Sequence, residues 1–193
     1  MTRQDRIKVR NAEFDDVASI AKIYGFHVVD GAGTFEEVAP TVEEIRRRVD
    51  NVKAQGLPWK VAEASGEVIG YCYASPYHSR SAYKFTVQSS VYVDGGWQRR
   101  GAGLLLLNAV VADCAHLGYC QVMAAVGDSR NEPALMLHAR AGFRTIGHAV
   151  RAGVKFGRWV DVIFLQRSLR DSFEPPPSTD PTGYIARSDQ TGP

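Results

Sequence analysis

The run Val91-Tyr92-Val93-Asp94-Gly95-Gly96-Trp97-Gln98-Arg99-Arg100-Gly101-Ala102-Gly103-Leu104 joins a β-branched strand, through a short turn, to glycines that open a long apolar helix. Such a junction is a phosphate cradle. The first N–H groups of a helix have no carbonyl partner within it, and the aligned peptide dipoles place partial positive charge at that end. Gly101 and Gly103 let the backbone approach a ligand closely, and Arg99 and Arg100 add fixed positive charge beside it. No Lys-Ser or Lys-Thr follows the second glycine, and the three-glycine spacing of a dinucleotide fingerprint is absent, so the P-loop and Rossmann readings fail.

A chain of 193 residues with 45% hydrophobic content can bury one sizeable core, and nothing suggests two. Lys and Arg number 23 against 21 Asp and Glu, and the resulting net charge of +2 gives no electrostatic footprint for nucleic acid or an acidic membrane. Cys72, Cys114 and Cys120 have neither the spacing of a zinc or redox site nor an even disulfide framework. They read as reduced core residues of a cytoplasmic protein, with no metal site expected. The N-terminus is too polar for a signal peptide, and no apolar run approaches membrane-spanning length. From Ser172 onward Pro, Ser, Thr, Asp and Gly dominate. The expected division is therefore a folded domain over residues 1–170 and a Pro-rich tail over residues 171–193.

Hydrophobic spacing predicts the order of elements. Residues 7–10 read as a strand, and Val17, Ile20, Ala21, Tyr24 and Val28 recur at helical spacing up to Gly31. Thr41 and Glu44 are spaced as a capping box for a second helix with the buried stripe Ile45, Val49 and Val52. Residues 59–64 and 68–75, around Ser65-Gly66, read as a hairpin, and residues 85–93 as the next strand. Leu104, Leu107, Val111 and Cys114 mark one face of a third helix ending near Gly118. A strand over 121–126 follows, then a short helix capped by Asn131 and closed by Gly142, then strands over 144–152 and 155–167.

Gln98-Arg99-Arg100-Gly101-Ala102-Gly103 resembles the (Gln/Arg)-x-x-Gly-x-(Gly/Ala) element that holds the coenzyme pyrophosphate in the GNAT N-acetyltransferases. The order of elements is similar to that fold, an α/β (α+β) architecture with a central mixed, mostly antiparallel sheet and helices on both faces. Within the superfamily the chain resembles the phosphinothricin N-acetyltransferase-like branch over about residues 7–168. The likeness rests on Gly33-Thr34-Phe35-Glu36, Arg80-Ser81-Ala82-Tyr83, Gln88-Ser89-Ser90-Val91-Tyr92-Val93 and Gly157-Arg158-Trp159-Val160-Asp161-Val162.

The resemblance implies direct transfer of acetyl from acetyl-coenzyme A to an amine bound at the same time, so that proximity does much of the work. The central strand is expected to splay from its neighbour, leaving backbone groups around Val91, Tyr92 and Val93 for the pantetheine arm and an N–H near Val91 for the thioester carbonyl. Arg99, Arg100, Gly101, Ala102, Gly103 and Leu104 fall on the pyrophosphate element, and Asn131 on a coenzyme-bonding position. His138 falls where a group assists the departing thiolate. Thr34, Phe35 and Glu36, together with Arg80, Ser81, Ala82 and Tyr83, fall on loops that line the acceptor site, with Arg80 suited to an α-carboxylate. Many relatives carry a second Arg where this chain has His78.

One departure matters. The branch usually has Glu at the position of Gln88, and an amide is no general base near neutral pH. Gln88 is left to hold a relay water, with Glu36 and then His78 as the candidate bases. The implied acceptor is a small amino acid or analogue such as phosphinothricin, methionine sulfone or methionine sulfoximine, and the implied assembly a homodimer. Two alternatives stay open: an acetyltransferase for a polyamine, aminoglycoside or protein N-terminus, and a noncatalytic acetyl-coenzyme A-binding protein.

Overall fold

Alternating and 3.6-residue apolar patterns translate, in a computed structural model that describes residues 6–170 and Pro181, into one sheet flanked by helices. The elements are β1 (Lys8–Asn11), α1 (Val17–Asp30), α2 (Val42–Ala54), β2 (Trp59–Ala64), β3 (Glu67–Pro76), β4 (Thr86–Val93), α3 (Ala102–His116), β5 (Gln121–Gly127), α4 (Glu132–Arg140), β6 (Arg144–Lys155) and β7 (Arg158–Ser168). Apart from Pro181, the expected Pro-rich tail lies outside the described residues. The sheet order is β1-β2-β3-β4-β5-β7-β6, with β4–β5 parallel and every other pair antiparallel. This is the mixed, mostly antiparallel sheet expected.

Side-chain alternation along β4 separates the two faces. Tyr92 meets Tyr24 of α1 with ring centroids 5.0 Å apart, whereas Val93 lies beside Gly103 of α3. Helices α1 and α2 therefore cover one face and α3 the other. The core runs through both layers, from Ile20, Val28 and Val49 to Val61, Tyr71 and Val87, and on to Leu106, Leu107 and Val110.

Three local expectations are corrected. The buried arc of α3 is Ala102, Leu106, Leu107, Val110, Val111 and Cys114, with Leu104 only half-buried, because α4 as well as the sheet packs on this helix. Thr41 caps α2 by accepting from the Glu44 amide at 3.1 Å, but the Glu44 carboxylate does not reach back. It is drawn instead to Arg47 and Arg48, which lie one turn on. Lys155 ends β6 rather than starting β7. The hairpin turns at Phe156-Gly157, whose φ values of 52° and 69° are those of a tight left-handed turn.

Candidate active site

Strand β4 keeps its antiparallel partner β3 from Val87↔Pro76 through Val93↔Gly70 but pairs with β5 only over Thr86↔Gln121, Val87↔Val122 and Gln88↔Met123. Both strands continue past that point, so β4 and β5 part from Ser89 onward. The direction of the peptide groups follows from two hydrogen bonds. Thr86 O accepts from Tyr77 N, and Asp94 N donates to Ile69 O, so even-numbered residues of β4 face β3. Val91 therefore turns its N–H and C=O into the opening. The Val93 carbonyl shares that direction but already accepts from His27 Nε2 at 2.9 Å, which leaves Val93 fewer groups for a ligand than expected.

The opening leads to the N-terminus of α3. Gly101 is its N-cap residue with φ of 90°, among the described residues no side chain caps the helix, and a Cβ at Gly101 would meet nothing within 4 Å. The amides of Ala102, Gly103 and Leu104 are thus first-turn donors without a protein acceptor in the helix. Asp94, which could have competed for them, accepts instead from Gly96 N at 2.9 Å. Arg100 lies over the Trp97 ring at 4.9 Å, and Arg99 is exposed with φ of 60°. A Cβ on Gly103 would come within 3.1 Å of Leu137 Cδ2, so this glycine also lets α4 approach α3. Asn131 caps α4, its Oδ1 accepting from Ala134 N at 3.3 Å, while its Nδ2 points toward Gly33.

On the opposite face of β4, Gln88 shares its side with Ser90 and Tyr92, beside Tyr73 and Tyr24. Tyr24 donates to Glu36 Oε1 at 2.8 Å and lies 2.9 Å from Thr34 Oγ1. Arg48 of α2 grips the same carboxylate with two nitrogens, at 2.7 Å and 3.2 Å. Burial would raise the Glu36 pKa, but the bonds from Arg48 and Tyr24 outweigh it and hold the carboxyl below its usual range. Lys155, 1% exposed, donates to the carbonyls of Gly31 and Thr34, each at 2.8 Å. Phe35 lies over Gly153, and Ala32 O fits against Gly127, so residues 31–36 are seated on the ends of β5 and β6.

The second predicted loop is separate. Ser81–Tyr83 form a 3₁₀ turn, and Tyr83 packs against His78 and Tyr77 at centroid distances of 5.1 Å and 5.4 Å. Arg80 is exposed, and among the described residues its guanidinium makes no ion pair. Its amide donates to His78 Nδ1 at 3.2 Å. Among the described residues no hydrogen bond joins this loop to residues 31–36.

Comparison with known proteins bears directly on this geometry. A family model described as acetyltransferase (GNAT) domain matches residues 9–164. The chain belongs to the GNAT acetyltransferase family. It is 44% identical over 161 residues to a phosphinothricin N-acetyltransferase of Alcaligenes faecalis, covering 83% of this chain and 82% of that protein. Identity to an L-methionine sulfoximine/L-methionine sulfone acetyltransferase of Salmonella typhimurium is 30% over 167 residues, covering 86% and 97%. A crystal structure of a GNAT superfamily phosphinothricin acetyltransferase from Sinorhizobium meliloti in complex with acetyl-coenzyme A superposes with a TM-score of 0.88 at 34% identity, covering 94% and 99%.

In this acetyltransferase His138 is buried against Phe143, and its Nδ1 lies 2.8 Å from Ala134 O. A carbonyl only accepts, so Nδ1 carries the proton and Nε2 is left as a lone pair. Burial also lowers the His138 pKa, with the Ala134 bond opposing it. A neutral imidazole held this way presents Nε2 to its surroundings as an acceptor. Three residues of the acetyltransferase escaped the sequence reading. Tyr24 reads only as part of the α1 stripe, although its partners Thr34 and Glu36 were singled out. Arg48 sits i+4 from Glu44, a signal for a helix pair but not for a hold on Glu36. Lys155 carries no signal, because a lone lysine at a strand end is ordinarily solvated.

Proposed function

We propose that this chain transfers acetyl from acetyl-coenzyme A to the α-amine of a small amino acid or analogue, of the phosphinothricin, methionine sulfone or methionine sulfoximine type, by direct attack in a ternary complex. The observation that carries this reading is the parting of β4 from β5 at Ser89, with Val91 turned into the gap and the uncapped first turn of α3 at its end. Acetyl-coenzyme A supplies a thioester as acyl donor. The amides of Gly101, Ala102, Gly103 and Leu104, with Arg99 and Arg100, suit its pyrophosphate. Val91 and Val93 offer backbone groups to the pantetheine arm, and the Val91 N–H is aimed to stabilise oxyanion charge on the reacting carbonyl. Tyr92 packs beneath, and Asn131 Nδ2 is a further donor. Thr34, Phe35 and Glu36 form one wall of the acceptor site, and Arg80, Ser81, Ala82 and Tyr83 a second. The exposed Arg80 guanidinium, without an ion pair among the described residues, matches the two oxygens of an α-carboxylate.

Thiol release assayed on a panel of amino acids, polyamines, aminoglycosides and peptides tests the reading. Carboxylated α-amines are expected to react, and Arg80→Ala to raise their KM about tenfold or more with little change in the KM for acetyl-coenzyme A. Equal loss on every acceptor overturns the role of Arg80. Gln88, an amide where relatives of this branch usually have Glu, favours a second reading as a noncatalytic binder. Tight coenzyme binding by calorimetry, with no turnover on any amine, would establish it.

The reading extends to a homodimer in the cytoplasm. Ile146, Val150, Val154, Phe156 and Trp159 are all more than half exposed and all lie on the β6–β7 hairpin, which supports a covered apolar face there. Trp159→Glu is expected to halve the mass measured by light scattering; a wild-type protein that already runs as a monomer overturns the assembly. The buried thiols of Cys72 and Cys114 accord with a reducing compartment, and among the described residues no helix is long and apolar enough to cross a membrane.

A further inference from the structure

We infer that, among the described residues, the acceptor face of this protein supplies no general base and that it selects amines already neutral in solution, which favours α-amino acids bearing an electron-withdrawing side chain. The inference rests on the amino-acid acetyltransferase reading above. It follows from what each candidate proton acceptor on this face is bonded to; the acceptor nitrogen of His138 belongs to α4, which packs on α3 at the other face of the sheet.

Gln88 has an amide that takes no proton near neutral pH. Glu36 receives three donors, from Tyr24 and from two nitrogens of Arg48, and taking up a proton would sacrifice charge-assisted bonds at 2.7 Å and 2.8 Å. Arg48 is held in turn by Glu44, which Arg47 also grips. His78 uses its Nδ1 lone pair for the Arg80 amide. His27 spends its Nε2 proton on Val93 O, five residues along β4 from Gln88, or about 17 Å of strand.

The phenols on this face are donors. Tyr24 is pushed up to about 12 by burial, and burial raises Tyr71, Tyr73 and Tyr92 as well, so all four phenols stay protonated. Two cations stand behind the acceptor loop, Arg48 from α2 and Lys155 from β6, with Glu37 as a further carboxylate near Lys155. Arg48 takes up the charge of Glu36, so that this carboxylate is not left unpaired to hold an incoming ammonium.

The chemistry balances without a side-chain base. The ammonium loses its first proton to bulk water before binding. The neutral nitrogen then forms the N–C bond as the C–S bond breaks, and the second proton leaves nitrogen for the departing sulfur, so that amide and free thiol are the products. No oxidant, reductant or further reactant is required.

The test is kcat/KM for the full chain from about pH 6 to 9.5 at saturating acetyl-coenzyme A, with methionine, methionine sulfoximine and methionine sulfone as acceptors. Sulfur oxidation withdraws electrons and lowers the amine pKa along this series. The expected result is a tenfold rise in kcat/KM per pH unit up to a break at each acceptor's own amine pKa, so that the break moves with the acceptor. Gln88→Glu is expected to add a second, acceptor-independent break and to raise kcat/KM near pH 6.5 at least tenfold. A single break near or below neutrality, shared by all three acceptors in the unaltered protein, reveals a side-chain base and overturns the inference while leaving the proposed function standing. No turnover on any acceptor removes the proposed function, and this inference with it.

Discussion

Gly127→Ala is expected to lower the stability of the fold by about 2–3 kcal/mol and to raise the acceptor KM several-fold, a large response to one methyl group. Gly127 is the last residue of β5, where the chain between α1 and α2 folds back across the sheet end. A Cβ there would lie 2.5 Å from Ala32 O and 3.2 Å from Gly33 C and O, and all three obstacles are backbone. Backbone cannot swing aside as a long side chain can. Either β5 or residues 31–36 must move, and the latter carry Thr34 and Glu36 with their bonds to Tyr24 and Arg48. Gly147→Ala is the control. Its Cβ would meet Phe164 at 3.8 Å, an ordinary contact, and its effect should stay within about 0.5 kcal/mol. Thermal and denaturant unfolding of the two variants decide the matter; equal shifts would mean that the close approach at Gly127 is slack.

What the sequence discloses and what it hides divide along a physical line. The cradle is legible because it depends on backbone freedom and local order: Gly101 does adopt φ of 90° at the start of α3, and Thr41 and Asn131 do cap the helices that follow them. The stripe Ile45, Val49 and Val52 is buried as its spacing requires, because one helix face meets one surface. The α3 stripe is misjudged at Leu104, since that helix is covered from two sides and its buried arc is wider than one stripe. Long-range polar pairings are the illegible part. Glu36 with Arg48, Lys155 with Gly31 and Thr34, and His27 with Val93 join residues from 12 to 124 positions apart, and no periodicity records them. Those same pairings decide the chemistry left to Glu36 and Val93. Residue identity thus indicates where a carboxylate lies, while its partners determine whether it can take a proton.

Lys155→Met is expected to cost about 2–4 kcal/mol of stability, because methionine fills much of the same volume but donates no hydrogen bond. The Gly31 and Thr34 carbonyls each accept from Nζ at 2.8 Å, and stranding a buried acceptor costs about 1–3 kcal/mol apiece. Part of that loss is offset, since the variant no longer buries an ammonium that has no carboxylate in direct contact. The ammonium's poor hydration gives the prediction its pH signature. Burial lowers the Lys155 pKa below its ordinary 10.5, with Glu37 and Glu36 opposing the shift. Between the folded value and 10.5 the unfolded chain binds more protons than the folded one, so unfolding free energy gains a rising contribution with pH in that window. The neutral amine keeps two N–H groups, enough for both carbonyls, so deprotonation relieves the charge without breaking the seat. Subtracting the pH dependence of Lys155→Met from that of the unaltered protein should therefore leave a difference that widens toward alkaline pH. A difference that stays constant would mean that burial does not penalise the Lys155 ammonium, and one that narrows that the nearby carboxylates stabilise it.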